Sequence, residues 1–279
     1  MTAFLCETCG VQHAERTDRP DAPPDSCAIC LDERQYLGFR GQRWTTLEAL
    51  RASRTNHLDE PEPGLTTIDT RPGFAIGQRA NLIRTPVGNL LWDCVGLLDE
   101  ATIAAIRERG GIAAIAISHP HFYSAMVEWA RTFDAPIWLH AADCAHVMRP
   151  DGAIRHWEGE TADPLPGSGL TLVRVGGHFE GQTLLHWPAG AGGKGAIFTA
   201  DMPSVVPDRR WVSFMYSYPN LIPLPAEEVR RIAGLLAGYR FDRVYGGWND
   251  RVVESDGAGA VARSAERYLG AMGAGRIRA

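Results

Sequence analysis

A short apolar run of buried-strand length, Ile112-Ala113-Ala114-Ile115-Ala116-Ile117, breaks off into Ser118-His119-Pro120-His121. No other stretch restricts the chain as much. His119 and His121 are two apart, so an extended backbone sends both side chains off one face. Pro120 biases His119 towards an extended conformation and fixes its own φ, which leaves both imidazoles partly aimed before any ligand arrives. Two neutral imidazoles on one side of a strand end suit a transition metal such as zinc. A polar loop whose histidines only hydrogen-bond is the plainer alternative, and the other segments decide between the two.

The 279 residues are 45% hydrophobic and 22% charged, enough for one large domain or one medium domain with a small appendage. With a formal charge of −5 and no lysine or arginine cluster, neither a nucleic acid nor an anionic membrane is expected as partner. No apolar run approaches the roughly 20 residues of a membrane span. The start, Met-Thr-Ala-Phe-Leu-Cys, lacks a basic region followed by a long apolar one, so the expected location is cytoplasmic. There, cysteines serve more often as ligands than as disulfides.

Four of the six cysteines fall in the first thirty residues, as Cys6-x-x-Cys9 and Cys27-x-x-Cys30. Each pair makes a tight knuckle, and two knuckles complete a tetrahedral site of four thiolates. Glu15–Ser26 between them is polar and proline-rich, with little to bury, so a structural zinc is expected to supply the folding energy of this segment. Free thiols or a redox pair are the alternative reading. Iron would also fit four sulfurs, but Leu31 after Cys30 departs from a rubredoxin knuckle. Residues 1–60 are therefore read as a zinc-knuckle appendage and linker. Thr45 with Glu48 forms a helix-starting capping box, and Asp59–Gly64 marks the boundary.

Residues 65–279 read as the main domain, with strands around Leu65–Ile68, Phe74–Ile76, Ala80–Thr85 and Leu90–Val95 and a turn at Pro86–Asn89. A helix over Asp99–Arg109 stops at Gly110-Gly111, Ile112–Ile117 is the strand before the histidines, and Ser124–Phe133 is a second helix. Another strand starts at Ala135, giving an α/β pattern. In the second half, Leu170–Val175 runs into Gly176-Gly177-His178, and Ala196–Thr199 ends at Asp201. Gln182–Trp187 and Arg243–Tyr245 are further strands, Ala226–Leu236 and Asp256–Leu269 further helices, and Ala189–Gly195 a glycine-rich turn rather than a phosphate loop. His140, Asp143 and His146 follow a strand without matching a ligand pattern, and His186 reads as a strand residue bonded to backbone. Cys94 and Cys144 read as isolated and structural. Met215–Pro223, aromatic and proline-rich, suits a loop over a pocket.

Three strand ends thus offer His119 with His121, His178, and Asp201, and a metal site needs ligands from distant segments because one strand cannot surround an ion. From Leu65 onwards the chain resembles the metallo-β-lactamase-fold superfamily. That family's early Asn-x-Tyr-Leu segment and Asp-x-Gly turn are approximated by Asn81-Leu82-Ile83 and Asp93-Cys94-Val95-Gly96. The resemblance implies a four-layered αβ/βα sandwich with a metal between its sheets and a small N-terminal zinc-ribbon-like appendage. His119 and His121 occupy the first two places of the family's His-x-His-x-Asp-His signature, His178 matches its later histidine and Asp201 its bridging aspartate. Tyr123 stands in the aspartate's place, Ser124 in the third histidine's, and Trp248 in that of the last histidine. Every loss falls on the second metal, so the resemblance implies one metal held by His119, His121, His178 and Asp201.

The activity this implies is that of a mononuclear hydrolase acting on a small-molecule ester, thioester or lactone. Zinc on three histidines lowers the pKa of its bound water to about 7. Asp201 is the first candidate for an orienting or basic group and Tyr123 the second, a phenol able to hydrogen-bond water or an oxyanion. Packing in the space left by the second metal is the alternative for Tyr123 and Trp248. Iron at the same ligands, supporting oxygen or sulfur chemistry, is a rival reading. So is a catalytically silent binding or scaffold protein whose knuckle contacts a partner or a second copy in a homodimer.

Overall fold

A computed structural model describes residues 2–273. Two sheets face each other. The first has seven strands in sequence order, Thr55–Glu62, Leu65–Arg71, Ala80–Thr85, Gly88–Trp92, Ala114–Ala116, Ile137–His140 and Ile154–Trp157. Its first four strands pair antiparallel and the rest parallel. The second has six strands, Thr161–Ala162, Thr171–Arg174, Thr183–Trp187, Ala196–Ala200, Arg243–Gly246 and Val252–Val253, parallel only between Ala196–Ala200 and Arg243–Gly246.

The layers follow from side-chain alternation. In Gly88–Trp92, Leu90 and Trp92 enter the space between the sheets while Leu91 points outwards, and Ala114 and Ala116 are split from Ile115 in the same way. Between the sheets, Leu65, Ile83 and Trp92 meet Leu185, Phe198 and Tyr245 from the opposite side. The outer face of the first sheet, including Leu82, Leu91 and Ile115, is covered by helices Glu100–Glu108 and Met126–Phe133. On the second, Val173, Leu184 and Ile197 lie under helices Ala226–Leu236 and Gly257–Ala271. The result is a four-layered αβ/βα sandwich. Each fully buried aliphatic or aromatic side chain contributes roughly 1.5–3 kcal/mol.

Local chemistry sets the element ends. Asp99 caps Glu100–Glu108 by accepting from Thr102 N at 2.8 Å. Gly110 and Gly111, at φ +100° and +75°, return their N–H groups to Arg107 and Ile106 and stop that helix. The other small helix is capped by Thr46 rather than Thr45, with Oγ1 accepting from Ala49 N at 3.2 Å, so Glu48 completes no capping box. Thr45 is used instead in a strand, opposite Leu5.

Two further expectations are corrected. Phe74–Ile76 is no strand: between Pro72-Gly73 and Gly77 the chain turns, with Ala75 at φ +51° and Gly77 N bonded to Phe74 O. The stretch from Asp59 to Gly64 is no linker either. Thr55–Glu62 pairs with Leu65–Arg71 as a hairpin and forms the edge of the first sheet, so the sandwich begins at Thr55 rather than Leu65. The cysteine knuckle remains a small N-terminal appendage but joins the main core. Leu5, Val11 and Ile29 share one buried cluster with Leu50, Leu91 and Val127. Among the described residues no helix is long and apolar enough to cross a membrane.

Candidate metal centre

The two predicted ligand sets each converge. Sγ atoms of Cys6, Cys9, Cys27 and Cys30 lie within 4.8 Å of one another, all buried. Cys6 and Cys30 are 3.5 Å apart, Cys9 and Cys27 3.7 Å, against about 3.8 Å for the edge of a tetrahedron of thiolates on zinc at about 2.3 Å. Gln42 Nε2 donates to Cys6 Sγ at 3.2 Å, and His13 Nε2 lies 3.3 Å from Cys27 Sγ. Cys27, hydrogen-bonded by Cys30, Cys6 and Cys9 and then by His13, is held well below the usual thiol range. Thiolate character is what a metal selects.

At the strand ends of the sandwich, His119, His121, His178 and Asp201 place one ligand atom each within the same 4.8 Å limit. His119 Nε2 is 3.2 Å and His178 Nε2 3.7 Å from Asp201 Oδ2, while His178 Nε2 is 3.2 Å from His121 Nδ1. Ligands on a tetrahedral ion at about 2.0–2.1 Å stand roughly 3.3 Å apart, so the spacing fits one divalent ion. His119 Nε2 is buried with Asp201 Oδ2 beside it, so its lone pair faces the other ligand atoms. Burial, and then the charges of His178 and His119, push His121 well below its usual pKa. Burial and His119 bring His178 down to about 4, so both rings are neutral and ready to ligate at pH 7. Burial raises the Asp201 carboxyl, yet a hydrogen bond to His119 and the charges of His119 and His178 hold it below the ordinary range.

The geometry behind His-Pro-His differs from the extended run expected. The strand stops at Ala116, His119 alone is extended, and Pro120–Phe122 closes a single 3₁₀ turn. Turning the chain lets His121 present Nδ1 while His119 presents Nε2 to the same point. Asp93 stabilises this corner, accepting from Ser118 N and Ser118 Oγ, both at 2.8 Å, while Ser118 Oγ lies 3.0 Å from His119 Nδ1. His178 is oriented by a 2.6 Å bond from Nδ1 to Tyr216 O. Its Gly-Gly-His-x-x-Gly loop is required sterically. Gly177 is at φ +86°, and a Cβ on Gly181 would stand 2.7 Å from Asp143, whose Oδ1 accepts Gly181 N at 2.8 Å. Tyr218 donates to the main-chain oxygen of Asp201 at 3.0 Å.

Aromatic and basic groups close the site. Phe179 packs with ring centroids 5.0–5.6 Å from all three ligand histidines, and Arg34 lies 4.0 Å over its ring. Arg34 comes from the segment after the knuckle, where Asp32 holds it in a two-pronged pair, Nε–Oδ1 and Nη2–Oδ2 both at 2.7 Å. The residues in the second metal's places do other work. Trp248 donates Nε1 to Ile76 O at 2.8 Å and packs on Phe122. Tyr123 is 2% exposed, borders Val11, Met126 and Met148, and has a phenol pushed well up by burial and then by Asp143 and Cys144. Tyr123 is thus packed into the core beside the site and belongs to neither ligand cluster. Ser124, at φ +46°, is buried beside it.

The remaining candidates fall outside both clusters. His140 accepts Ala142 N and bonds Gly159 O, and His186 bonds Arg240 O, as expected for a strand residue. Cys94 is buried but Cys144 is exposed, contrary to a structural role. Met215–Pro223 forms a hairpin rather than a plain loop. Asp93, Ser118, Arg34 and Tyr216 were not singled out from sequence. Only Asp93, inside the Asp-x-Gly turn, carried a local signal.

No protein-family model matches the chain. The uncharacterized protein YmaE of Bacillus subtilis (strain 168) is 50% identical over 274 residues, covering 98% of this chain and 97% of YmaE. Among solved structures, VMB-1 superposes with a TM-score of 0.60 at 12% identity, over 78% of this chain and 98% of its own. The DIM-1 metallo-beta-lactamase gives 0.59 at 13%, over 77% and 98%. A B3 metallo-beta-lactamase with an active-site glutamic acid gives 0.51 at 18%, over 79% and 90%.

Proposed function

Since the chain belongs to the same family as YmaE and carries the metallo-β-lactamase fold, we propose that it is a mononuclear zinc-dependent hydrolase of a small-molecule ester, thioester or lactone. One observation carries this reading: three buried imidazoles and an ionised carboxylate from separate strand ends bring one ligand atom each within 4.8 Å of one another. His119 Nε2, His121 Nδ1, His178 Nε2 and Asp201 Oδ2 would hold the ion, which supplies Lewis acidity and a nucleophile at neutral pH.

The chain's own groups prepare that chemistry. Asp93 through Ser118, and Tyr216 through its main-chain oxygen, fix two of the rings and so their tautomers. Asp201 stays ionised at neutral pH, and its second oxygen is the proposed acceptor for the proton released when water attacks. Phe179, with Arg34 above it, keeps bulk water from the histidines and strengthens electrostatic interactions among them.

The experiment is metal analysis joined to an ester, thioester and lactone panel. Wild type should hold two zinc ions per chain and hydrolyse a panel member. His121→Ala should hold one zinc and lose activity while still folding. One metal per wild-type chain would overturn the reading, and iron at the histidines with oxygen consumption would replace it by redox chemistry. Two zinc ions with no hydrolysis across the panel would favour a silent scaffold.

A further inference from the structure

Among the described residues, Arg79 is the one buried cation that the fold and the metal centre leave unexplained. It is 3% exposed and precedes strand Ala80–Thr85. Its main-chain N donates to Gly247 O at 2.9 Å and its Nη2 to Gly246 O at 3.1 Å, with the guanidinium 5.4 Å over the Tyr245 ring. Its Nε is buried with no acceptor, and among the described residues no carboxylate pairs with it. Burial draws this guanidinium down to about 10, which still leaves it charged at neutral pH. A buried charge without a partner is strongly unfavourable, so such a group is kept where an anion comes to meet it.

Arg79 lines a polar cavity of about 260 Å³ together with His57, Asp69, Arg243, Tyr245 and Asn249. The other charges around it are already matched. Asp69 accepts Arg71 Nε at 2.7 Å and lies 3.5 Å from His57. Arg243 is 3.3 Å from Glu62 and 3.6 Å from Glu254, and Glu62 also accepts Tyr245 OH at 2.6 Å. Asp59 borders the cavity from an exposed position. What remains inside is the unpaired charge of Arg79.

We propose that this cavity is a binding site for a small monocarboxylate, its carboxylate seated on the Arg79 guanidinium. A planar pair of oxygens matches the fork of N–H donors. A phosphate dianion would face Asp59, Asp69 and Glu254 across the same small space, which disfavours it. The site is separate from the histidine centre. Gly246-Gly247 stands between them, holding Arg79 on one side, while a Cβ on Gly247 would touch Phe122 and approach Ala200 on the other.

The test is calorimetric titration of the full metal-loaded chain with acetate, propionate and benzoate at constant ionic strength set by chloride, with inorganic phosphate in parallel. Saturable binding of one carboxylate per chain is expected, weakened at least tenfold in Arg79→Met and unchanged in His121→Ala. Asn249→Trp, placed on the exposed rim to fill the mouth, should weaken it as much and decides the matter if Arg79→Met does not fold. No saturable carboxylate binding, binding that survives Asn249→Trp, binding lost in a folded His121→Ala, or tighter binding of phosphate would each overturn the proposal.

Discussion

His178 and Tyr216 are joined by a 2.6 Å hydrogen bond from the ring Nδ1 to the main-chain oxygen, which turns Nε2 towards His121 and Asp201. The oxygen that sets this ring belongs to a hairpin anchored from outside the sandwich. Ser217 Oγ donates to Arg34 O at 3.1 Å, and Asn220 Nδ2 donates to Glu33 O at 2.9 Å and Gln35 O at 3.0 Å. The segment after the cysteine knuckle therefore helps to aim a ligand of the other metal. Asn220→Ala should weaken metal at the histidines by about tenfold, the lower range for losing a group that orients a ligand. The four-cysteine site should keep its metal. Competition with a graded series of chelators separates the two.

The knuckle shares its apolar core with the sandwich, and this changes what losing it should do. Leu5, Val11 and Ile29 are buried in the same cluster as Leu50, Leu91 and Val127. Cys27→Ser should therefore destabilise the whole chain in one cooperative transition, rather than fray the N-terminus alone. A loss on the order of 3 kcal/mol is expected, a fall in Tm of about 6–12 °C. Calorimetry showing an unchanged main transition beside a separate early one would disprove the coupling.

Asp93 supplies a pH-dependent prediction. Its burial drives the carboxyl up to about 8, against the hydrogen bonds from Ser118. A carboxyl raised in the folded state binds more protons there than when unfolded, so in metal-free protein it favours folding at low pH. That contribution is lost as pH rises from about 4 to about 8, by at most about 1.4 kcal/mol per unit. Asp93→Asn keeps an oxygen acceptor for Ser118 and removes the ionisation. Urea unfolding of metal-free protein between pH 6 and 9 should show wild type losing stability relative to the variant. Parallel curves would exclude Asp93 as the titrating group.

The amphipathic helix Ala226–Leu236 was legible in the sequence because it carries its own periodicity, and the strand Ala80–Thr85 because a turn at Pro86–Asn89 bounds it. The ligands were legible because each follows an apolar strand and sits beside glycine or proline. Thr55–Glu62 was hidden for a physical reason: as an edge strand it is largely exposed, so its polar residues show no buried alternation, and an edge tolerates Pro61. The link from Asp93 to Ser118 joins residues 25 apart, and Arg34 reaches His178 O across 144. Such pairings exist only after the layers pack, so no local pattern announces them. Tyr123 is a different case: its place in a signature suggested chemistry, while the fold buries it beside Val11, Met126 and Met148.

Arg149 is the clearest polar tie between the N-terminal segment and the sandwich. Its side chain is 5% exposed and bonds Gln12 Oε1 at 2.6 Å, Glu128 Oε1 at 2.5 Å and Glu15 Oε1 at 2.7 Å. Gln12 and Glu15 belong to the knuckle segment, whereas Glu128 lies on helix Met126–Phe133. Replacing the guanidinium by an apolar chain leaves two carboxylates and an amide without their donor. Because both carboxylates are partly exposed, water recovers part of the loss, and Arg149→Met should cost about 2 kcal/mol, less than the 3–5 typical of a fully buried pair. Arg16→Met, which breaks the surface pairs with Asp18 and Asp25, should leave stability almost unchanged. Urea midpoints at constant slope measure both, and equal effects of the two substitutions would rule out Arg149 as the docking contact.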